Sequence, residues 1–376
     1  MRFVHTADWQ IGMKASHAGS ASERVREERL LAAERVVETA RRSGAGFILV
    51  AGDTFEDNGV DRVLVQKVAD ILSGFAGPVF VIPGNHDPEV PGSVWRHGAW
   101  SSAANVRVLV AEEPLAVPGG VLFPCPLREK RSGRDPTSWI DARQVDGIRI
   151  GVAHGSVEGL DLDEPDHPVP RGAASLRGLD YLALGHWHSL KIYEDPDGAC
   201  RMAYSGTHET TRFGEKDSGN VLVVDIASPG SPPALRVEVT GGLAWKRIES
   251  LDLRQDEGIA SLIGEIESAE SPGSTLLDLR LGGLFTLRGR AELDRLVGIA
   301  RARFLFSRVD ETRLRPAPGD GTWIHELPAG VVRMAASRLV ELSDPSHTGP
   351  RPDGATPEAA SRALSELFAL AREAGR

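Results

Sequence analysis

The first 240 residues of the chain alternate short apolar runs with longer amphipathic stretches, a pattern that predicts strands and helices. Residues 22–43 are expected to form a helix, because Leu30, Ala33, Val37 and Ala40 recur three and four positions apart. The predicted strands are 3–5, 47–50, 78–82, 106–110, 121–123, 148–153, 179–184, 191–193, 200–204, 221–226 and 235–239. This order predicts an α/β fold with two packed mixed β-sheets flanked by helices.

The hydrophobic pattern changes around Gly241-Gly242, which indicates a domain boundary. The expected segments are a first domain at 1–243, a small α+β module at 244–315, a Pro- and Gly-rich linker at 316–330, and two C-terminal helices at 331–376. Thr356 is the predicted N-cap of the last helix and Pro357 its first residue. The apolar stripe of that helix either packs on the protein itself or docks onto a partner protein.

Composition narrows the class of protein. The chain has 376 residues and a formal net charge of −10, which disfavours a generally basic nucleic-acid-binding protein. It does not exclude an enzyme whose metal ions supply positive charge locally. Cys125 and Cys200 are too few for a disulfide framework or a four-cysteine zinc site. No apolar run approaches the roughly 18 residues of a membrane-spanning helix and no secretory signal is expected, so we expect a cytoplasmic protein.

Five polar clusters follow predicted strands, at the strand ends where open α/β sheets place their ligand sites. They are Asp8-Trp9-Gln10, Gly52-Asp53, Gly84-Asn85-His86-Asp87, His154 and Gly185-His186-Trp187-His188. Carboxylate, amide and imidazole groups are the oxygen and nitrogen donors that suit Mn, Fe or Zn. The glycines beside them allow the sharp backbone turns that let side chains converge. The sequence therefore predicts a metal centre built from these clusters.

In this order, the clusters resemble the motifs of the calcineurin-like metallophosphoesterases, which implies the αββα sandwich of that superfamily. Three further segments are similar to the SbcD-type nuclease subunit of DNA double-strand-break repair complexes. They are Asp180 to His186, Tyr204-Ser205-Gly206-Thr207 and Phe213-Gly214-Glu215. The similarity covers roughly residues 1–240, and the α+β module after it matches the capping domain of that family only in layout.

The resemblance implies a binuclear metal centre, with manganese as the expected metal and magnesium, iron or zinc as alternatives. Asp53 would bridge the two ions. The implied ligands are Asp8, Gln10, Asp53 and His188 for the first ion, and Asp53, Asn85, His154 and His186 for the second. His86 would face the phosphate and assist departure of the leaving oxygen, and Asp87 would orient the His86 imidazole.

Gln10 departs from the family pattern, which usually has histidine at this position. A glutamine offers only a neutral carbonyl oxygen, which is a weaker ligand than imidazole for these metals. We therefore expect the first site to bind its ion more weakly, or through a water molecule. The alternative is that the substitution is tolerated with little effect.

The resemblance also implies function and partners. It implies a metal-dependent DNA nuclease, acting as an exonuclease or endonuclease at or near DNA ends. The expected partners are DNA, a coiled-coil ATPase of the SbcC kind, bound partly by the C-terminal helices, and a second copy of the chain in a homodimer. Two metal ions can stabilise both the attacking and the leaving oxygen of a phosphoryl displacement, so the chemistry requires no protein nucleophile.

Several alternatives stay open at this point. Arg128, Lys130, Arg131 and Arg134 form a basic loop that would contact a DNA backbone, or that is simply solvated. A second interpretation, in place of a DNA nuclease, is a phosphodiesterase or phosphatase that acts on a small phosphorylated substrate. A third reading is a catalytically weakened scaffold subunit, with Gln10 having impaired the first metal site.

Overall fold

The computed structural model of the chain describes residues 1–160, 166–195, 197–253, 256–285, 287–316, 323–353 and 355–374. These residues divide into two compact units, Met1–Trp245 and Lys246–Arg376. None of the described helices is both long and apolar enough to cross a membrane.

The first unit contains twelve strands and four α-helices among its described residues. In chain order they are β1 (Arg2–Thr6), α1 (Ser22–Ser43), β2 (Ile48–Ala51), α2 (Arg62–Ser73), β3 (Val79–Ile82), α3 (Ala99–Ser102), β4 (Val106–Val108), β5 (Leu115–Val117), β6 (Gly120–Cys125), β7 (Ile148–His154), α4 (Ala173–Arg177), β8 (Tyr181–Gly185), β9 (Lys191–Tyr193), β10 (Met202–Tyr204), β11 (Asn220–Asp225) and β12 (Ala234–Val239). Two short 3-10 helices lie at Ser16–Ala21 and Val94–Arg96.

The strands form two six-stranded mixed sheets. The first has the order β12-β11-β1-β2-β3-β4. Strands β1 to β4 pair in parallel, and β11 pairs antiparallel with both β1 and β12. The second has the order β5-β6-β7-β8-β10-β9, with a parallel centre and an antiparallel strand at each edge. The predicted fold class, two mixed sheets flanked by helices, is confirmed.

The core between the two sheets explains why their central strands are apolar on both faces. In β2, Leu49 and Ala51 point into the core that also holds Ile150 and Tyr181 of the second sheet. Ile48 and Val50 belong instead to the core on the outer face of the first sheet, under the helices. Strands buried on both faces read as continuous apolar runs rather than alternating ones, which is the pattern seen in the sequence.

Local signals fix the ends of the helices on the first sheet. α1 begins and ends at the predicted residues, and Gly44 closes it in the left-handed conformation at φ 67°. The Asp61 side chain accepts a hydrogen bond from the Val63 backbone N–H at the start of α2. Phe75 lies beyond the last residue of α2 and still packs into the core.

The second unit contains a three-stranded sheet, five α-helices and a short 3-10 helix at Pro272–Ser274 among its described residues. The elements are β13 (Ala244–Leu253), which crosses the boundary between the units, α5 (Asp256–Glu267), β14 (Thr275–Phe285), α6 (Leu287–Arg303), β15 (Phe306–Pro316), α7 (Trp323–Glu326), α8 (Val331–Ser343) and α9 (Pro357–Ala374). β14 and β15 are parallel and α6 connects them. Ile259 and Leu296 are among the helix residues that pack on this sheet with Leu279.

The C-terminal helices pack on each other within this unit. Phe368 of α9 lies edge-on to Trp323, with ring centroids 5.0 Å apart, so the stripe of the last helix is used at least partly inside the protein. Thr356 accepts a hydrogen bond from the Ala359 N–H, as an N-cap does. Trp323 belongs to α7, which lies inside the stretch 316–330 predicted as a linker, and residues 317–322 of that stretch lie outside the described residues.

The aromatic cluster between the sheets gives a stability prediction. Phe47 is fully buried and its ring stacks on Phe3 at 4.7 Å and meets Phe80 edge-on at 5.6 Å. We expect Phe47→Ala to lower the free energy of unfolding by about 3–5 kcal/mol, because it removes buried area and leaves a cavity. Urea unfolding followed by far-ultraviolet circular dichroism would measure this loss. Val63→Ala, on an exposed position of α2, is the control, and equal losses in both variants would contradict the assignment.

Candidate metal centre

The candidate site lies where strands of the two sheets end side by side. Asp8 and Asp53 each follow their strand, β1 and β2, by two residues, and Asn85 follows β3 by three. His154 is the last residue of β7 and His186 comes directly after β8. Parallel strands end at the same edge of a sheet, so this topology brings side chains far apart in the sequence to one place.

Three of these side chains offer donor atoms to a single point. One carboxylate oxygen each of Asp8 and Asp53 and one ring nitrogen of His154 all lie within 4.8 Å of one another. All three residues are at most 2% exposed. Two buried carboxylates at this separation repel each other unless positive charge lies between or beside them, so the arrangement suits a cation.

Asn85 joins the second group of predicted ligands. Its side-chain oxygen lies 2.8 Å from Nε2 of His154 and 3.2 Å from Nδ1 of His186. The two imidazole rings are 5.3 Å apart at an interplanar angle of 83°. Asn85, His154 and His186 therefore present one oxygen and two nitrogens at the rim of the carboxylate cluster.

His188 is held by residues of a later loop. Its Nδ1 lies 2.9 Å from Oε1 of Glu215 and 3.2 Å from Oγ1 of Thr211. With Nδ1 engaged by a carboxylate, a metal would be bound through Nε2, the arrangement common to metal-ligating histidines. The sequence had drawn attention to Glu215 only as part of Phe213-Gly214-Glu215, and its contact with His188 was not foreseen.

Asp87 does not have the role expected of it. Its two carboxylate oxygens accept hydrogen bonds from the backbone N–H groups of Phe55 at 2.9 Å and Gly84 at 2.7 Å. The His86 imidazole instead contacts the carbonyl oxygen of Glu56 through Nδ1, at 2.9 Å. The expectation that Asp87 orients His86 is therefore corrected: Asp87 holds the loop that carries His86, and a backbone carbonyl orients the ring.

The protonation states of the site follow from these contacts. Burial opposes a charge on His154, but the adjacent Asp53 carboxylate raises the pKa of His154 to about 9. Its two ring nitrogens face oxygens that only accept, those of Ala51, Asn85 and Asp53, so both carry protons. Burial acts to raise the pKa of Asp53, yet His154 and His86 hold it well below its ordinary value.

Two other groups of the cluster shift in the direction that burial dictates. Burial raises the pKa of Asp8 to about 6, although His154 and His188 oppose the change. Burial, reinforced by the charge on His154, lowers the pKa of His186 to about 3. The neutral His186 imidazole is thus in the protonation state that binds a metal, whereas His154 must first lose a proton.

Comparison with known proteins identifies the family of the chain. The model for calcineurin-like phosphoesterases matches residues 1–190. The chain belongs to this family. The predicted superfamily is therefore confirmed, and Asp8, Asp53 and His154 form a candidate site for the divalent metal ions that this family implies.

Two curated relatives come from Bacillus subtilis (strain 168). The chain is 25% identical over 243 residues to the uncharacterized metallophosphoesterase YhaO, an alignment that covers 59% of this chain and 57% of YhaO. It is 24% identical over 271 residues to SbcD, a subunit of nuclease SbcCD, covering 61% of this chain and 67% of that protein. The chain thus matches between half and about two thirds of the length of each relative.

Two solved structures match part of the chain at low sequence identity and with TM-scores below 0.5. TT1561 of Thermus thermophilus is 13% identical with a TM-score of 0.43, covering 64% of this chain and 98% of that chain. Purple acid phosphatase PPD1 from yellow lupin, Lupinus luteus, is 12% identical with a TM-score of 0.39, covering 64% of this chain and 51% of that chain.

The donor set fits the divalent metal ions that this family implies. Carboxylate oxygens of Asp8 and Asp53, the amide oxygen of Asn85 and imidazole nitrogens of His154 and His186 converge, and the set contains oxygen and nitrogen without a thiolate. Such a set suits manganese, iron or zinc and does not by itself select one of them.

The Gln10 side chain is placed as a hydrogen-bond donor to Asp53. Its Nε2 donates to Oδ2 of Asp53 at 2.9 Å, and its backbone N–H donates to the Asp53 carbonyl at 3.0 Å. A carboxylate can only accept, so the amide nitrogen must face it. The expectation that Gln10 completes the first metal site stays a prediction; in this structure its side chain positions the Asp53 carboxylate.

A buried arginine supports the loop that carries Asp8 and Gln10, and sequence reasoning missed it. Arg29 of α1 is 1% exposed, and its guanidinium donates to the carbonyls of Trp9 at 2.9 Å and Glu209 at 2.8 Å. It thereby joins the first metal-site loop to the loop that leads to Thr211 and Glu215. Its place on a regular amphipathic helix gave no signal of this role.

The predicted basic loop is divided between two places. Lys130 and Arg131 line a cleft of about 540 Å³ together with Asn85, His86 and His186. Arg128 instead donates to the Val110 carbonyl at 3.0 Å, and Arg134 pairs with Glu112 at 3.1 Å, beside a smaller cavity of about 90 Å³. Two of the four predicted residues thus line a cleft that candidate metal ligands also line.

The placement of Gln10 gives a metal-binding prediction. Gln10→His replaces an amide with an imidazole that can bind metal. The Mn²⁺ ion of the first predicted site, which is the weaker one, should therefore bind at least about tenfold more tightly, because changes around a metal typically alter its affinity by this factor or more. Isothermal titration of metal-free protein with Mn²⁺ would measure both affinities. Gln10→Leu, which can neither donate nor ligate, is the matched control. Unchanged affinity in Gln10→His would show that position 10 does not face the ion.

The charge on His154 gives a pH prediction. Metal binding must displace its proton, so between pH 7 and 8.5, below its pKa of about 9, affinity for Mn²⁺ should rise about tenfold per pH unit. Above pH 9 this dependence should disappear. Titration in buffers of different ionisation enthalpy would count the protons released. An affinity that stays flat from pH 7 to 8.5, with no proton released, would show that His154 is neutral in the metal-free protein.

Proposed function

We propose that the protein is a metal-dependent nuclease that hydrolyses phosphodiester bonds of DNA at or near ends, using a binuclear metal centre. The observation that carries this proposal is the shared cleft: predicted metal ligands, His86 and the cationic side chains of Lys130 and Arg131 line one cavity. A phosphate held by metal ions there would meet further positive charge on the side where a DNA backbone continues. Similarity to SbcD of nuclease SbcCD supports the choice of DNA.

In this proposal the chain's own side chains hold two ions. Asp8, Asp53 and His188 would hold one ion, and Asp53, Asn85, His154 and His186 would hold the other. The ions, manganese in our proposal, would polarise the phosphate and activate water. Gln10 holds the bridging carboxylate in place through its hydrogen bond.

His86 is the proposed proton donor to the leaving oxygen. The Glu56 carbonyl can only accept, so Nδ1 of His86 carries a proton and the ring orientation is fixed. Nε2 is then the nitrogen that takes up and hands over the second proton. The backbone N–H of His86 also donates to Oδ1 of Asp53 at 2.9 Å, which ties the proton donor to the bridging ligand.

The partners belong to the same proposal. We propose a coiled-coil ATPase of the SbcC kind as partner, because the relative SbcD is named as one subunit of nuclease SbcCD. The C-terminal helices offer apolar surface for it: on α8, Val331 is 82% exposed and Met334 72% exposed. A homodimer of the first unit is proposed on the resemblance alone.

The test of the proposal is a nuclease assay on end-labelled linear DNA with Mn²⁺ or Mg²⁺. We expect cleavage that a chelator abolishes and that His86→Ala lowers at least about a hundredfold in kcat, the scale of lost acid catalysis. His97→Ala, a histidine outside the cluster, is the control. Product lengths would show whether the enzyme cuts from an end or internally.

A second candidate, a scaffold with a weakened first metal site, is favoured by the contact of Gln10 with Asp53. That reading expects no DNA cleavage by the wild type at any Mn²⁺ concentration, and no difference between the wild type and His86→Ala. Cleavage of nitrophenyl phosphodiesters without cleavage of DNA would indicate the small-substrate alternative instead.

A further inference from the structure

We infer that the metal centre lies between two clefts of different chemistry, one taking the phosphate backbone and the other a nucleobase of the same strand. The inference rests on the proposed nuclease function and specifies how its substrate is held. His186 lines both clefts, so each opens beside the same candidate metal ligand. A phosphodiester has two ester arms, and two clefts meeting at one centre match that geometry.

The first cleft is polar and cationic. Lys130 and Arg131 are exposed, and they line it with Ser132 and Gly133 of the same loop. Its carboxylate, Asp166, already accepts a hydrogen bond from the Ser132 N–H at 2.8 Å and so holds the loop in place. These features suit a phosphate next to the scissile one, which needs charge without a flat apolar surface.

The second cleft, of about 450 Å³, is aromatic. Trp187 and Phe213 line it with Arg212, and both aromatic side chains are half-buried. Trp187 lies between the candidate ligands His186 and His188 in the sequence, and all three residues line this cleft. Aromatic side chains beside an arginine suit a nucleobase, because every base has a π face that stacks without regard to sequence.

Contacts behind the second cleft hold its aromatic wall. The Phe213 ring meets Trp245 edge-on, with centroids 4.9 Å apart, and Trp245 in turn lies 5.4 Å from the His17 ring. His17 contacts the Thr211 carbonyl through Nε2 at 2.9 Å. The Thr211 hydroxyl lies 3.2 Å from Nδ1 of His188, so one short loop supports both the wall and a candidate metal ligand. A preorganised wall costs little to order on binding.

The arrangement selects a strand with groups on both sides of the scissile phosphate. A phosphate monoester fills one cleft and leaves the other without contacts. In a nucleotide strand, the backbone on one side would pass Lys130 while the base on the other side would stack on Trp187. The two sides thus differ in what they recognise, charge on one and the base on the other.

The test uses single-stranded oligonucleotides with one altered nucleotide on either side of the bond that is cut. An abasic nucleotide on one side should slow cleavage about tenfold by removing the stacking. A neutral methylphosphonate on the opposite side should slow it about three- to fivefold, since the exposed cation loses its partner. Swapping the two modifications between the sides should slow cleavage much less.

Two variants serve as controls for each other. In Trp187→Leu the abasic penalty should vanish while the methylphosphonate penalty stays, and Trp187→Phe should restore the abasic penalty. In Lys130→Gln the pattern should reverse. An abasic penalty that persists in Trp187→Leu, or two penalties on the same side of the cut, would overturn the inference.

A binding measurement separates this inference from the nuclease proposal. Fluorescence anisotropy of the same oligonucleotides, with chelator present, reports affinity without turnover. The wild type should bind the abasic strand more weakly than the intact strand, and Trp187→Leu should bind both equally. That result would support the two-cleft inference even if no DNA is cut and the nuclease proposal fails. Equal binding of both strands by the wild type, together with normal DNA cleavage, would contradict base binding in the aromatic cleft. The nuclease proposal would not be affected by that result.

Discussion

The Asp53 carboxylate is the group on which the rest of the site depends. It is 2% exposed, at the edge where the two sheets meet, and an isolated charge there would be costly. The backbone N–H of His86, the Gln10 amide and the His154 ring at 3.4 Å all stabilise it. In the metal-free protein the His154 proton supplies the positive charge that metal ions would supply otherwise. The predicted exchange of protons for metal follows from this single constraint.

Much of the fold was predictable because buried strands and amphipathic helices leave periodic patterns. α1 and the positions of most strands along the chain followed from apolar spacing, and the clustering of candidate ligands followed from polar motifs at strand ends. Short elements such as β5 and α4, three and five residues long, were missed. So few residues cannot show a repeating pattern of apolar positions. α7 was missed because its surroundings are rich in proline and glycine.

The roles of individual side chains were less predictable, since they depend on which neighbour the fold supplies. Asp87 adjoins His86 in sequence, yet the His86 imidazole contacts the Glu56 carbonyl, 30 residues away. Arg29 supports the loop of Asp8 from a helix whose pattern shows only amphipathicity. Motifs identify which residues converge, but the contacts between them require the three-dimensional structure, and the two clefts beside His186 are visible only there.

The central claim, that Asp8, Asp53, Asn85, His154, His186 and His188 hold two divalent ions, is tested most directly by anomalous scattering from a crystal soaked in Mn²⁺. Two anomalous peaks are expected about 3.5–4 Å apart, on either side of the Asp53 carboxylate. The peak beside Asn85 and His154 should be the fuller one, because Gln10 can offer the other site only a neutral amide oxygen, which is a weaker ligand than imidazole. A soaked crystal without a peak beside Asp53 would contradict the central claim.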